Sequence, residues 1–242
     1  MTSESVTPST RSRLISAMLA ALRTRGYHGV GLTEVLATAG APKGVMYHHF
    51  PGGKTALAVA AIDAVVARLS ADLDSLFARH SDPVLALNAW MKSALTMLEE
   101  SGFERGCPLA TVALESTPQD EALRHALAQG FAAMRLRLKT VLERSGMSAA
   151  SAQGCAALIV SAYEGALLQA RVAGSTQVMR DTLQALTTMV KHSLRDQAEA
   201  KTRTKAKAKA NAKEKENENE NEKEKEKAKA KAKAKAKTNP KR

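Results

Sequence analysis

The nine-residue stretch PKGVMYHHF brings together side chains that bind nucleic acid. Lys43 can reach guanine acceptors from the major groove, and Gly44 has no side chain to hold its backbone away from DNA. Tyr47 can donate a hydrogen bond to a phosphate, and His48 can bind either a phosphate or a base edge. With His49, these residues outnumber what a packing helix of this length needs. The stretch therefore predicts a helix that contacts DNA.

The residues before this helix predict a helix-turn-helix. Thr33 suits the N-cap of a short helix that ends at Gly40, a residue that tolerates the left-handed conformation. Pro42 suits the first position of the second helix, where its missing N–H costs nothing. A short glycine turn lets a second helix enter the major groove while the first helix braces it. Helical hairpins with a glycine turn are common, so the spacing also fits simple packing.

A second candidate DNA contact lies at the start of the next helix, near Gly53 and Lys54. Exposed N–H groups and the helix dipole at such a terminus attract a phosphate, and Lys54 adds a full positive charge. We expect Lys54, together with Thr33 and Tyr47, to hold DNA phosphates. The alternative is a simple helix start with a solvated lysine.

These motifs resemble the N-terminal helix-turn-helix of TetR-family transcriptional regulators. The hallmark of that family is a lysine-glycine pair, then a Tyr-x-His-Phe run and a downstream lysine, and Lys43-Gly44 and Tyr47 to Phe50 match it. The chain departs from the pattern at Pro42, where the family usually has serine, and at Lys54, which comes four residues after the phenylalanine rather than three. The extra glycine in PGGK, and RGCPLATVALE further along, resemble the LmrA-like branch.

Helical periodicity continues to about residue 200. The first helix is predicted from Thr10 to Arg25, and a linking helix from about residue 54 to 79. We expect an all-α fold of about nine helices. Its predicted parts are a disordered arm (1–9), a three-helix helix-turn-helix domain (10–53), a helical effector-binding and dimerisation domain (54–200) and a low-complexity tail (201–242).

The last two long helices, at about 148–173 and 176–197, carry wide apolar surfaces. One copy of the domain cannot easily cover both. We therefore expect the same two helices of a second subunit to pair with them in a four-helix bundle. Burial of these faces within one chain is the alternative.

Large apolar or soft side chains between residues 83 and 173 are candidates for an effector pocket. Pockets between helices are common sites for small molecules. The candidate residues are Trp90, Phe103, Phe131, Met134 and Tyr163. The alternative is that these residues simply fill the core. The family resemblance implies that this domain binds a small, hydrophobic or aromatic effector.

The C-terminal tail sets the overall charge. Residues 201–242 contain 17 Lys or Arg and 7 Glu, and so carry +10 of the net charge of +12. Their period-two alternation places like charges four residues apart, and no apolar periodicity is present, so we expect a largely disordered tail. Such a polycation can bind DNA without sequence preference, or it can be a solvated extension.

Nothing in the sequence indicates an enzyme, a cofactor or a metal site. The motifs G-x-S-x-G, G-x-x-x-x-G-K and H-E-x-x-H are absent. Cys107 and Cys155 have neither metal-ligand spacing nor the pattern of a disulfide framework. The first residues lack the apolar segment of a signal peptide, and there is no run of 18 or more apolar residues. We therefore expect a soluble, cytoplasmic protein with no membrane partner.

The resemblance implies a homodimeric repressor that binds a palindromic operator and is released by its effector. Its two recognition helices would enter successive major grooves about 34 Å apart. Two other hypotheses remain. One is a nucleoid-type architectural protein that binds DNA mainly through the polycationic tail. The other is a redox sensor that uses Cys107, which requires a lowered thiol pKa.

Overall fold

The predicted helices are present in the computed structural model, which describes residues 8–237 except for the side chains of 218, 219, 221, 224 and 230–237. The described residues contain helices and no β-strand, which confirms the all-α prediction. The helices of this part are α1 (Thr10–Arg25), α2 (Leu32–Ala39), α3 (Lys43–His49), α4 (Gly53–Arg79), α5 (Pro83–Glu100), α6 (Pro108–Glu115), α7 (Glu121–Arg144), α8 (Ala149–Ala173) and α9 (Gln177–Lys237). Residues 1–7 of the predicted arm lie outside the described part.

Helices α1, α2 and α3 form a three-helix head around a small apolar core. Met18, Leu22 and Met46 are fully buried in it, and Phe50 is 4% exposed. Arg13 of α1 donates a hydrogen bond from Nε to the carbonyl of Ala39 at 3.0 Å, which ties α1 to the end of α2. Apolar burial and this polar link together fix the angle between the first two helices.

Two predicted helix starts are corrected, that of α2 by two residues and that of α3 by one. Helix α2 begins at Leu32 with Gly31 as its N-cap, because the Val35 N–H already donates to the Gly31 carbonyl at 3.2 Å. Thr33 therefore lies in the first turn instead of capping it. Pro42 is the N-cap of α3, with an extended ψ of 149°, rather than its first helical residue.

Helix α4 runs from the head into the larger helical body. It packs against α1, α5 and α7. At its crossing with α7, a β carbon on Gly130 would lie 2.7 Å from Cγ2 of Val66 and 2.9 Å from Cδ2 of Leu109. Gly130 therefore allows α7 to approach both α4 and α6 closely. Helix α4 thus joins the head to the part of the body that contains the cavities described below.

Helices α8 and α9 differ in how they bury their apolar faces. The α9 residues Met179, Leu183, Leu186 and Val190 are all buried within this chain. Burial within one chain, the alternative left open by the sequence, thus accounts for α9. Helix α8 buries one of its faces. Its residues Leu158, Leu168 and Val172 lie outside that face and are 50%, 45% and 83% exposed.

Helix α8 is also long and apolar enough to cross a membrane, judged by length and composition alone. Its Ile159, Tyr163 and Ala170 are buried against the rest of the chain. Core helices of folded domains meet the same criterion of length and composition.

The helix that begins at Gln177 continues to Lys237, which corrects the expectation of a largely disordered tail. Alanine, lysine and glutamate are strong helix formers, and an existing helix extends without the cost of a new nucleus. The alternation that places like charges four residues apart also places Lys and Glu three residues apart between residues 213 and 227. The chain separates into two compact units, which divide between Leu194 and Arg195.

Candidate nucleic-acid interface

The turn between α2 and α3 has the geometry of a helix-turn-helix. Gly40 adopts the left-handed conformation, with φ 57° and ψ 43°, and the Ala41 N–H donates to the carbonyl of Leu36 at 3.1 Å. These bonds satisfy the carbonyl end of α2 and redirect the chain within three residues. The second helix then starts at Lys43, one residue after its predicted start at Pro42.

Helix α3 has one buried side and one exposed side. Met46 is fully buried, whereas Lys43, Gly44, Tyr47 and His48 are all exposed. A β carbon on Gly44 would meet no other atom of the chain within 4 Å, so packing does not require glycine there. The structure thus brings four of the six predicted DNA-binding residues together on the exposed side of α3.

The tyrosine of α3 reaches the start of α4. Cε1 of Tyr47 lies 3.4 Å, and its hydroxyl oxygen 3.9 Å, from the position that a β carbon on Gly53 would take. Gly53 has φ 65°, a left-handed value that favours glycine, and opens α4 with no side-chain cap and no acidic residue in the first turn. The Tyr47 hydroxyl therefore lies beside a helix N-terminus whose N–H groups can bind an anion.

Lys54 is held by an aromatic residue that sequence analysis did not single out. Its ammonium nitrogen lies 4.5 Å from the centre of the Tyr27 ring, a cation–π contact. The Tyr27 hydroxyl shares a 2.8 Å hydrogen bond with Oγ1 of Thr55. Partial burial lowers the pKa of Lys54, and the nearby Glu115 carboxylate opposes that shift. Tyr27 directly follows the glycine that ends α1, which was the available sequence signal.

Thr33 is exposed in the first turn of α2, beside an acidic residue whose charge is balanced by an arginine. The guanidinium of Arg25 binds the Glu34 carboxylate through two hydrogen bonds, of 2.5 and 2.7 Å. This pair lowers the pKa of Glu34 and offsets a negative charge that would otherwise repel a phosphate near Thr33. The last predicted contact residue thus lies at the start of α2, in a setting compatible with an anion.

The five predicted effector residues do not line a single cavity. Phe131 borders a cavity of about 360 Å³ among α6, α7 and α8, and Met134 and Tyr163 border a neighbouring one of about 90 Å³. Trp90 is buried with its ring centre 4.4 Å from that of Tyr163, and lines neither. Phe103 lies at a separate surface recess and has a φ of 65°, a left-handed value that is uncommon for a residue other than glycine. Sequence analysis missed Glu164 and Arg171, which line the larger cavity.

Cys107 lines both cavities, but its thiol is in the wrong environment for a reactive cysteine. Burial raises its pKa well above the ordinary value, and the adjacent Glu164 carboxylate raises it further. The protonated thiol is a poor nucleophile, so this environment argues against the redox-sensor hypothesis.

Two polar contacts connect the cavity walls to the head. Glu115, the last residue of α6, accepts hydrogen bonds from the backbone N–H groups of Tyr27 and His28. Arg171 of α8 donates from Nη2 to the carbonyl of Thr24 at 3.2 Å. Both α6 and Arg171 border the larger cavity. A change in the shape of that cavity therefore has a direct polar route to the end of α1.

A helix-turn-helix with an exposed polar second helix, joined by a long helix to an all-α body, defines a DNA-binding transcriptional regulator. Residues 14–61 match the family described as bacterial regulatory proteins, tetR family. Residues 83–185 match the C-terminal domain of LmrA/YxaF-like transcriptional regulators. The chain belongs to the TetR family of transcriptional regulators. The matched families and the similar proteins are transcriptional regulators rather than enzymes.

Three relatives illustrate the similarity. The HTH-type transcriptional regulator Rv0196 of Mycobacterium tuberculosis is 30% identical over 167 residues, which cover 67% of this chain and 84% of the relative. LmrA of Bacillus subtilis is 27% identical over 158 residues, covering 65% and 84%. The repressor NemR of Escherichia coli is 27% identical over 191 residues, covering 75% and 94%. Its crystal structure in the reduced form superposes with a TM-score of 0.65, covering 73% of this chain and 94% of NemR.

Proposed function

We propose that this regulator is a homodimeric repressor that leaves a palindromic operator when a small effector binds its helical body. The observation that carries the DNA-binding part is the position of Tyr47 beside Gly53. It joins the exposed side of α3 to the N-terminus of α4, so that one surface offers both a base-reading helix and a phosphate site. Residues 10–53 form the DNA-binding domain in this proposal, and residues 54–200 the effector-binding and dimerisation domain.

Each predicted DNA-binding residue has a role in this proposal. Lys43 reads a base in the major groove, and Gly44 permits close approach of the helix backbone. Tyr47 and Thr33 hold phosphates, and His48 binds a phosphate or a base edge. Lys54 contributes charge beside the phosphate at the start of α4, with its ammonium kept in place by the Tyr27 ring.

The exposed face of α8 supports the homodimer. Leu158, Leu168 and Val172 recur at helical spacing and remain exposed in one chain. On the same helix, β carbons added to Gly154 or Gly165 would meet no atom within 4 Å. Packing within the chain therefore does not explain these glycines, and a second helix could approach α8 closely there. We infer that α8, assisted by the part of α9 up to about residue 197, forms the subunit interface.

The cavity among α6, α7 and α8 supports an effector response. A ligand that enters it contacts α6 and Arg171, the two elements that hold Tyr27, His28 and Thr24 of the head. Displacing either element shifts the head and changes the separation of the two recognition helices. Because the groove repeat is fixed, the ligand and the operator oppose each other reciprocally. Repression rather than activation is inferred by analogy with NemR, which is named a repressor.

Footprinting of the full chain on the DNA upstream of its own gene tests the proposal. We expect a protected palindrome that is lost when Lys43→Ala and Tyr47→Phe are combined. Binding without a pattern, with a steep salt dependence and no effect of the double substitution, would instead support the architectural hypothesis based on the tail charge.

A further inference from the structure

The cavity of about 360 Å³ among α6, α7 and α8, here called the α6–α8 cavity, is mainly apolar. Leu114 on its border is 73% exposed, so the cavity opens to the surface. Charged groups are few on its wall: the carboxylate of Glu164 and the guanidinium of Arg171. Its shape and lining suit a small apolar molecule. Glu164 and Arg171 determine which polar group on such a molecule the cavity can bind.

Glu164 is the buried polar group of this wall that lacks a partner. Both carboxylate oxygens are removed from solvent, and neither accepts a hydrogen bond of ordinary geometry among the described residues. The Cys107 thiol faces the carboxylate, but a thiol is a weak donor. The hydroxyl of Thr111, also on the wall, donates instead to the Cys107 carbonyl at 2.8 Å. Native structures seldom leave a buried carboxylate in this state.

Arg171 does not neutralise Glu164. Its Nη2 donates to the Thr24 carbonyl, and within the described part of the chain it makes no hydrogen bond to either carboxylate oxygen of Glu164. The residues are seven positions apart on α8, which places them about 10 Å apart along the helix axis. One end of the cavity is therefore acidic and unpartnered, whereas its basic end is already engaged with the head.

Burial raises the pKa of Glu164 to about 7. The cavity wall therefore holds a carboxyl group that is close to half ionised at neutral pH, because an unpaired buried charge is costly. A cationic donor would supply both the missing hydrogen bond and the missing charge. A purely apolar ligand would displace water and give the carboxylate no hydrogen-bond donor in its place.

We propose that the effectors of this protein are small apolar molecules with a protonated amine, and that the amine pairs with Glu164 in the α6–α8 cavity. This inference rests on the proposed effector response and specifies its chemistry. The amine lies at the acidic end, and the apolar body lies against Phe131 and Leu168. The guanidinium of Arg171 lies two helical turns further along α8 and donates to the Thr24 carbonyl, so the amine contacts the carboxylate rather than the guanidinium.

Three probes with the same apolar body test the proposal: 4-phenylbutylamine, 4-phenylbutan-1-ol and 4-phenylbutanoate. Calorimetry with the full chain at neutral pH should give an affinity for the amine that is about tenfold above that for the alcohol, with the carboxylate weakest. Glu164→Gln should remove the preference for the amine and leave the affinity for the alcohol within about twofold. Glu104→Gln, an exposed glutamate outside the cavity, is the matched control and should change neither affinity.

The pH dependence gives a second readout. Amine affinity should rise from about pH 6 to about pH 8, because Glu164 must lose its proton to bind a cation, and it should be flat in Glu164→Gln. The other titratable or charged groups on the elements packed around the carboxyl are Cys107, Tyr163, Arg171 and, on α1, Arg23. Burial raises the pKa of Cys107 and of Tyr163, so both stay protonated in this range.

The outcomes separate this inference from the proposed function. If wild type bound the amine and the alcohol equally, or if Glu164→Gln kept the preference, the cavity would stand as an effector site and the role of Glu164 would be refuted. Tightest binding of the carboxylate would assign recognition to Arg171 and also refute it. If none of the three probes bound, both the inference and the effector cavity would be overturned.

Discussion

The ammonium nitrogen of Lys54 lies 4.5 Å from the centre of the Tyr27 ring, so an aromatic residue of the α1–α2 connection positions a cation at the start of α4. Removing the ring should release Lys54. We expect Tyr27→Leu to lower operator affinity about three- to tenfold, as the loss of a cation–π contact and a hydrogen bond suggests. Tyr27→Phe keeps the ring and loses only the bond to Thr55, so it should retain most of the affinity. Fluorescence anisotropy with labelled operator measures both, and equal losses would argue against positioning by the ring.

Gly44 should matter for DNA binding and not for folding. It lies on the exposed side of α3, and a β carbon there meets no other atom of the chain. Because alanine favours helix over glycine, Gly44→Ala should leave the free energy of unfolding unchanged or raise it by up to about 1 kcal/mol. Operator affinity should fall at least about tenfold if the helix backbone approaches the DNA closely. Urea unfolding and operator binding measured side by side check this, and unchanged operator affinity would refute the role given to Gly44.

Gly26 should matter for folding. It has φ 68°, and a β carbon there would collide with the Glu115 carboxylate. We expect Gly26→Ala to lower the free energy of unfolding by about 1–3 kcal/mol. A double-mutant cycle with Glu115→Ala separates the two causes: the part of the cost due to the collision should vanish, and the part due to the backbone angle should remain. A coupling near zero would mean that Glu115 moves aside freely.

The exposed stripe of α8 should hold the subunits together. Leu158→Glu and Val172→Glu each place a charge in the inferred interface, and we expect the dissociation constant of the dimer to rise by about 100-fold. Leu85→Glu is a matched control, because Leu85 on α5 is 54% exposed and lies on a different helix. Sedimentation at several protein concentrations distinguishes monomer from dimer. Dissociation by the Leu85 variant alone would move the interface to α5.

Glu164 should make stability depend on pH. Burial raises its pKa from the ordinary range of a glutamate to about 7 in the folded chain, so the neutral carboxyl favours the fold at low pH and that contribution is lost as pH rises through about 7. Replacement by neutral glutamine should therefore stabilise the protein relative to wild type by about 1–3 kcal/mol at pH 8, and by much less at pH 5. Chemical unfolding of both proteins at the two pH values measures the difference. A pH-independent difference would show that Glu164 does not titrate in this range.

The exposed side of α3, which we propose binds DNA, could be predicted from the sequence because its determinants are local. Lys43, Gly44, Tyr47 and His48 lie within one short helix, and the helical period alone separates them from the buried Met46. Helix starts were predicted less well, with an error of two residues for α2 and one residue for α3, because neighbouring residues compete for the cap. The helical tail was not predicted. Like charges four residues apart disfavour an isolated helix, but the tail continues α9, a helix that already exists.

By itself, the sequence determined the all-α fold, the helix-turn-helix and the family, because helix periods, caps and the Lys-Gly and Tyr-x-His-Phe motifs are read within a few turns of chain. Only the tertiary structure decided how the head is held to the body and what lines the cavity among α6, α7 and α8. Glu115 contacts the Tyr27 N–H across 88 positions of the chain, and Arg171 reaches Thr24 across 147. Likewise, Glu164 becomes a buried, unpartnered carboxylate only when α6, α7 and α8 pack around it. Such contacts depend on how whole helices pack, and helical periodicity carries no record of which helix will face another.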